Sequence, residues 1–299
     1  MGTSYKVIIY GQKIQISEQK ISNIFEQVNQ EMSTYLKNSS ISQVNNSNLF
    51  EWSIVSNGFV SILNYAIRLC EDTDGIYDVS VGRLVNNWGF GPNKASNLTN
   101  EEEKKIFEEI GCDSVEVNQN SVRRLRDVHL DFSSIAKGYA IDLVHQEILS
   151  DKNIDSHYIE LGGEIRTSLL KNNNMPWVIG IEDPKQENNF LIRLQSDDFQ
   201  EFSIATSGDY RNFRVLDNQL ISHTVNLKSG KPKDYSKSSV TIVAENAMKA
   251  DALATALNAM EEEVAIKYSN KNNIKAIFIS SQKDKSTLIF SNSMSKIVK

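Results

Sequence analysis

The chain has 299 residues and a mass of 33.7 kDa, enough to bury a sizeable core and a length that suits about two domains or one large one. Hydrophobic residues make up 40% and charged residues 23%, ordinary globular usage that excludes a disordered, collagenous or coiled-coil chain. With 32 basic against 38 acidic residues the net charge is −6, the wrong sign for gripping a phosphate backbone over a wide face, so nucleic acid is not an expected partner.

The chain opens with Met1-Gly2-Thr3-Ser4 and runs directly into the alternating, strand-like stretch Tyr5 to Tyr10, with no secretory signal before it. Such a start fits a cytoplasmic protein or a chain from which an export segment has been removed. Ile21, Ile24, Phe25, Val28 and Met32 have the spacing of an amphipathic helix over Ile21 to Leu36. An Asn- and Ser-rich polar patch follows from Lys37 to Asn48, then a second helix over Val55 to Cys70 and a turn at Glu71 to Gly75. Ile76 to Pro92 is poor in charge and holds Trp88, Gly89, Phe90 and Gly91; it reads as a loop, packed close to something flat or turned around a core Trp.

Thr99 or Asn100 caps a helix running to about Ile110, with Glu101, Glu102 and Glu103 placed favourably in its first turn. Val115 to Val117 and Val122 to Leu125 suggest a hairpin. A strand over His129 to Phe132 leads into a helix from Ser133 or Ser134 to Leu149. Tyr158 to Arg166 reads as a strand broken by Gly162-Gly163, and short strands are expected at 177–181, 191–194, 202–206, 214–216 and 239–244. Ala247 to Met260 is a helix, and 276–280 with 286–290 a closing hairpin. This irregular mixture of strands and helices favours an α+β fold over a doubly wound sheet, without repeats or a clear linker. No run approaches the ~18 apolar residues of a membrane span. Cys70 and Cys112 form no CxxC pair and are too few for a disulfide framework, so they read as buried or incidental thiols.

Three segments carry candidate chemistry. Asp251 and Thr255 lie four apart on the last long helix, so a carboxylate and a hydroxyl share one face and suit a hard cation such as Mg²⁺. The same spacing also describes a solvated or capping pair. Asp131 to Ala140 runs from strand to helix start, where free N–H groups and Lys137 favour an anion, although the segment lacks the P-loop form. Ile204 to Tyr210 places Thr206, Ser207 and Gly208 after a strand, as phosphate or ribose contacts often are; a satisfied turn is the alternative. The four histidines show no zinc spacing. His223, in a polar segment, is either a general base or an ordinary loop histidine.

Taken in order, these segments resemble the ApbE family of FAD:protein FMN transferases over nearly the whole chain. The matching pieces are Met1-Gly2-Thr3, Met32 to Tyr35, Tyr77 to Gly82, Trp88 to Pro92, Asp131 to Gly138, Leu161 to Arg166, Gly180 to Pro184, Ala205 to Tyr210 and Ala250 to Thr255. The resemblance implies one domain over residues 1–299, which two lobes without a clear linker would make up. The fold it implies is T-fold-like, with mixed sheets packed against helices and an FAD site in a cleft between the lobes. It implies a Mg²⁺-dependent enzyme that takes FAD as substrate, moves FMN onto a Thr or Ser hydroxyl of an acceptor flavoprotein such as a redox-pump subunit, and releases AMP. Asp251 and Thr255 match the metal ligands, with the main-chain carbonyl of Ser134 as a third. Met1, Tyr35, Ile76, Tyr77, Asp78, Asp131 and Lys137 match positions that contact FAD. Glu164, Thr206 and Ser207, inside matching segments, complete the expected cofactor-binding set, and His223 matches the base that activates the acceptor hydroxyl.

Two local departures accompany the match. Asn226 stands where the family usually has an acid, in His223-Thr224-Val225-Asn226-Leu227-Lys228-Ser229-Gly230, and Ser133-Ser134 replaces a Gly-Ala pair. Family analogy places the protein outside the cytoplasm on an inner-membrane anchor that this sequence does not carry, with a cytoplasmic location as the alternative. An FAD pyrophosphatase and a non-catalytic FAD-binding protein are the competing functions.

Overall fold

The computed structural model describes residues 2–92, 98–208, 213–216, 219–227, 229–234, 238–282 and 285–298. In chain order its elements are β1 (Tyr5–Gly11), α1 (Glu18–Met32), α2 (Ser40–Asn46), β2 (Ser53–Ile54), α3 (Asn57–Asp72), α4 (Gly82–Asn87), α5 (Asn100–Glu109), β3 (Val115–Asn118), β4 (Ser121–Arg124) and α6 (Ala136–Ser150). Then come β5 (Ile154–Leu161), β6 (Glu164–Thr167), β7 (Val178–Asp183), β8 (Gln186–Gln195), β9 (Phe202–Gly208), β10 (Phe213–Leu216), β11 (Gln219–Asn226), β12 (Lys231–Asp234) and β13 (Ser239–Ala244). The chain closes with α7 (Ala247–Ala259), α8 (Glu262–Lys271), β14 (Lys275–Gln282), β15 (Lys285–Phe290) and α9 (Asn292–Ser295). The mixed α+β class expected from the sequence is the class observed.

The chain forms two compact units. One is built from Phe25–Ala136 and Arg214–Asp234; the other comprises Gly2–Ile24, Lys137–Phe213 and Tyr235–Lys299. The second unit is organised by a seven-stranded sheet in the order β1-β5-β6-β9-β13-β14-β15, antiparallel throughout. Side chains alternate between its faces. Ile204, Val243, Ile277 and Ile279 share a core with Ile181 and Leu194 of the β7–β8 ribbon and with Met294 of α9. α7 packs against β6, β9 and β13. Its buried Ala247, Ala250, Ala252, Ala254 and Ala256 have no bulk beyond Cβ, so the helix can lie close to its neighbours.

In this unit His145 of α6 and His157 of β5 share a hydrogen bond between Nδ1 and Nε2 at 2.8 Å. Burial, then the nearby Arg166 charge, push His145 down to about 3 and His157 down to about 4. Both folded values lie below that of a free imidazole, ~6.5, so the unfolded chain takes up protons first. The stability these neutral rings contribute is complete above that value and is lost as pH falls toward about 4. Unfolding free energies from urea titrations at pH 7 and pH 5 are expected to differ by about 3–4 kcal/mol from this pair, and His157→Gln is expected to roughly halve the difference. An unchanged slope in that variant would remove the pair as its source.

The first unit carries the three-stranded sheets β2-β4-β3 and β10-β11-β12. α3 buries Phe59, Ile62, Leu63 and Ala66, and Phe59 meets Phe132 with ring centroids 4.9 Å apart. Several local expectations change here. α1 ends at Met32, not Leu36. The Asn- and Ser-rich patch contains α2, capped by Ser39 and anchored by buried Ile41 and Val44. The supposed loop at 76–92 contains α4, and Trp88 packs with Leu84, Ile106 and Val225. The expected strand at His129 to Phe132 is reduced to a single bridge with Val81. The expected free thiols are a correction as well: Cys70, in the last turn of α3, is joined to Cys112 as a disulfide with Cα atoms 5.7 Å apart. Folding brings together two positions 42 residues apart, a proximity that neither cysteine's sequence neighbours announce.

Candidate active site

In the second unit, α7 buries Asp251 together with five alanines, Leu257 and Asn258. A carboxylate so deeply buried must be compensated. Its Oδ2 accepts a hydrogen bond from the Gly138 N–H at 3.0 Å, in the first turn of α6, where backbone donors have no partner within the helix. Its Oδ1 lies 3.9 Å from the Lys137 ammonium. Lys137 also pairs closely with Oε1 of Glu164 at the start of β6. Lys137, Glu164 and Asp251, which the sequence nominates from three distant segments, thus form one cluster. Thr255 stands one turn beyond Asp251 and is half-buried.

The cluster is short of positive charge. Glu164 is pushed up to about 7, first by burial and then by the charge of Asp251, against the pull of Lys137. Burial also raises Asp251, with Lys137 and the Gly138 N–H opposing it. Oε2 of Glu164 is buried with no hydrogen-bond partner among the described residues. Two buried carboxylates sharing one ammonium, with an orphaned oxygen and a hydroxyl one turn away, fit a hard divalent cation, which takes several oxygen ligands.

Thr206 and Ser207 do not join this cluster together, because adjacent strand residues face opposite ways. Ala205 faces the Glu164 side by register, since Ile165 pairs with Ile204, and Ser207 follows it. Thr206 bonds Thr241 at 2.8 Å and lines a cavity of about 590 Å³ with Tyr158, Glu160, Gly162 and Gly163.

In the first unit, the 76–82 segment runs beside 129–134. The Asp131 N–H donates to the Val79 carbonyl at 2.8 Å and the Gly82 N–H to that of His129 at 2.8 Å. A Cβ on Gly82 would meet the His129 carbonyl oxygen at 2.7 Å, so only glycine permits this approach. Tyr77 Oη and Ser134 Oγ are 3.0 Å apart, and Oδ1 of Asp131 accepts the Ser133 N–H at 2.8 Å. Tyr77, Asp78, Asp131 and Ser134 are therefore neighbours in this unit, with Ile76 leading into them. The Tyr35 hydroxyl donates to the Phe90 carbonyl at 3.3 Å.

Asp78 is raised by burial, and Oδ2 is buried without a partner among the described residues. A carboxylate oxygen of Asp78 and the two sulfurs of Cys70 and Cys112 lie within 4.8 Å of one another. The sulfurs are bonded to each other and offer no thiolate, so this trio is no metal site in the oxidised chain. His223 belongs to β11, not to a loop; its side chain, like Met1, lies outside the described residues. The hairpin after it closes with the Gly230 N–H on the Asn226 carbonyl at 2.8 Å, at a Gly230 φ of 69°. Trp88 donates its indole N–H to the Gly230 carbonyl at 3.3 Å.

An antiparallel sheet backed by helices, with a helix start beside a buried, cation-short acid pair, defines a protein with a place for a hard cation. The model of the ApbE family matches residues 1–278, and this chain belongs to that family. It is 35% identical over 287 residues to an FAD:protein FMN transferase of Vibrio cholerae, covering 93% of this chain and 85% of that protein. The solved flavin transferase ApbE from Vibrio cholerae superposes with a TM-score of 0.84 at 32% identity, over 100% of this chain and 96% of that one. The apo flavinyl transferase ApbE of Pseudomonas stutzeri gives a TM-score of 0.88 at 25% identity, over 100% and 94% of the two chains.

Proposed function

We propose that this chain is an FAD:protein FMN transferase that moves the FMN half of FAD onto a Thr or Ser hydroxyl of an acceptor protein and releases AMP, with Mg²⁺ as its cation. The observation that carries this reading is the Lys137–Glu164–Asp251 cluster, found in a chain whose relatives bear that name. In the reaction the acceptor oxygen forms a bond to the FMN phosphorus, the bond from that phosphorus to the bridging oxygen breaks, and AMP leaves with the electron pair. His223 takes the hydroxyl proton. Asp251 and Thr255, with the main-chain carbonyl of Ser134 as the family resemblance implies, would hold the cation, which would supply charge stabilisation at the diphosphate. Lys137, anchored by Glu164, offers its ammonium to the same phosphoryl oxygens. Tyr35, Ile76, Tyr77, Asp78 and Asp131 bind the dinucleotide, together with Met1, Thr206 and Ser207.

Incubation with FAD and Mg²⁺ is expected to yield AMP and a flavin-sized mass gain on an acceptor, both lost with EDTA. No AMP under these conditions would overturn the reading, and free FMN in place of a labelled acceptor would identify hydrolysis instead. His223→Ala is expected to slow transfer about 10²–10⁴-fold while FAD binding, read by flavin fluorescence, persists; full transfer in that variant would remove the histidine from the step.

The Cys70–Cys112 disulfide supports an extracytoplasmic location, since such bonds persist in oxidising compartments. No helix among the described residues is long and apolar enough to cross a membrane.

A further inference from the structure

α6 and α7 cap one another. Gly138, in the first turn of α6, gives its N–H to Asp251 of α7. In return Asp142, one turn further along α6, accepts the Ala247 N–H on Oδ1 and the Met248 N–H on Oδ2, each at 2.9 Å. The Asn246 side chain takes the next donor, Lys249 N–H, also at 2.9 Å, so the opening amides of α7 are all held from outside the helix. Arg166 of β6 pairs with Oδ1 of Asp142, and Asp142 is 8% exposed. The two helix starts are in contact: a Cβ on Gly138 would lie 2.2 Å from the Ala247 carbonyl oxygen.

We propose that Asp142, oriented by Arg166, is a positioning residue that fixes the height and rotation of α7 against α6, so that Asp251 meets Lys137 and the cation at the required place. The inference rests on the reading of Asp251 as a cation ligand. A carboxylate suits the task because its two oxygens match two adjacent amides, and its charge complements the positive end of the helix. Asparagine offers one oxygen and turns an NH₂ group toward the second N–H. Both oxygens of Asp142 are engaged by amides and guanidinium, which separates its role from ligation.

The alternative is that Asp142 acts on the site only through its charge. A nearby negative charge attracts a cation, so both accounts expect weaker binding when Asp142 is neutralised. Removing the Arg166 guanidinium separates them: losing a positive charge alone would tighten cation binding, whereas loosening the clamp weakens it.

The test is Mn²⁺ binding to the full chain, read by EPR of free Mn²⁺ without FAD or acceptor. Asp142→Asn is expected to weaken binding about tenfold. Arg166→Gln, which keeps the carboxylate but removes its orienting partner, is expected to weaken it about threefold. Transferase activity lost at low Mg²⁺ should return at high Mg²⁺ in both variants, an effect on metal requirement that general destabilisation does not produce. Unchanged or tighter Mn²⁺ binding in Arg166→Gln, or in folded Asp142→Asn, overturns the proposal. Asp251→Asn separates the two levels. If it binds Mn²⁺ like the wild type, the ligand assignment fails and the positioning role with it; if it alone loses Mn²⁺, only the clamp is wrong.

Discussion

Asp251→Ala is expected to lower AMP release from FAD by about 10³-fold or more, because in the proposed site it removes the one charged ligand from a set whose other members, a hydroxyl and a main-chain carbonyl, are neutral. The same substitution strips the Gly138 N–H of its acceptor, so a loss of activity in Asp251→Ala alone would confuse chemistry with folding. Asp251→Asn separates the two. Burial holds the native carboxyl above its ordinary range, which means that the ionised side chain costs stability when no cation is present. An amide of the same shape keeps an acceptor for Gly138 and carries no charge to desolvate. Thermal melting of Asp251→Asn in EDTA is therefore expected at or above the wild-type temperature, while its turnover falls as far as that of the alanine variant. Normal AMP release in a folded Asp251→Asn would show that the cation is held elsewhere.

The divergence of stability and activity at this residue follows from how its environment is assembled, and that assembly explains what the sequence could reveal. Asp251, Thr255 and Lys137 stand out locally, as an acid and an alcohol one helical turn apart and a lysine at a helix start. Their partners do not, since Lys137 meets Glu164 across 27 residues and Asp251 meets Gly138 across 113. Helices with a strong local code were legible: α5 begins at the Thr99–Glu102 capping box, and α7 is a run of good helix formers. α2 was hidden because only Ile41 and Val44 mark its buried face amid Ser and Asn. α8 was hidden similarly, with Ala265 and Ser269 as its buried residues. β11 and β12 hold each other in place by register, Val225 against Pro232 and Asn226 against Lys231, so the strand that carries His223 owes its form to a partner, and the polar residues around it give no local sign of a strand. The segment at 129–132 has a strand's composition but finds its hydrogen bonds in the 79–82 stretch, and so forms only one bridge.

Replacing both Cys70 and Cys112 by serine is expected to cost about 4 kcal/mol of unfolding free energy, from the entropy of closing a loop of that length in the unfolded chain. The bridged positions are 42 residues apart, and the segment between them contains α4, α5 and the Tyr77–Asp78 pair. The bond ties the last turn of α3 to the turn after α5, where the Gly111 N–H donates to Ser80 Oγ at 3.3 Å. Its loss therefore releases the ground on which the 76–82 segment rests. The effect should be selective. FAD affinity, which in the proposed site draws on Tyr77 and Asp78, is expected to fall in the double variant, whereas Mn²⁺ affinity at the Asp251 cluster, built in the other unit, should change little. Urea unfolding with and without dithiothreitol measures the stability term, and thiol titration of the denatured, unreduced chain should find no free cysteine. Two titratable thiols in protein recovered from an oxidising compartment, or a urea midpoint indifferent to reduction, would exclude the bond as a determinant of this unit's stability.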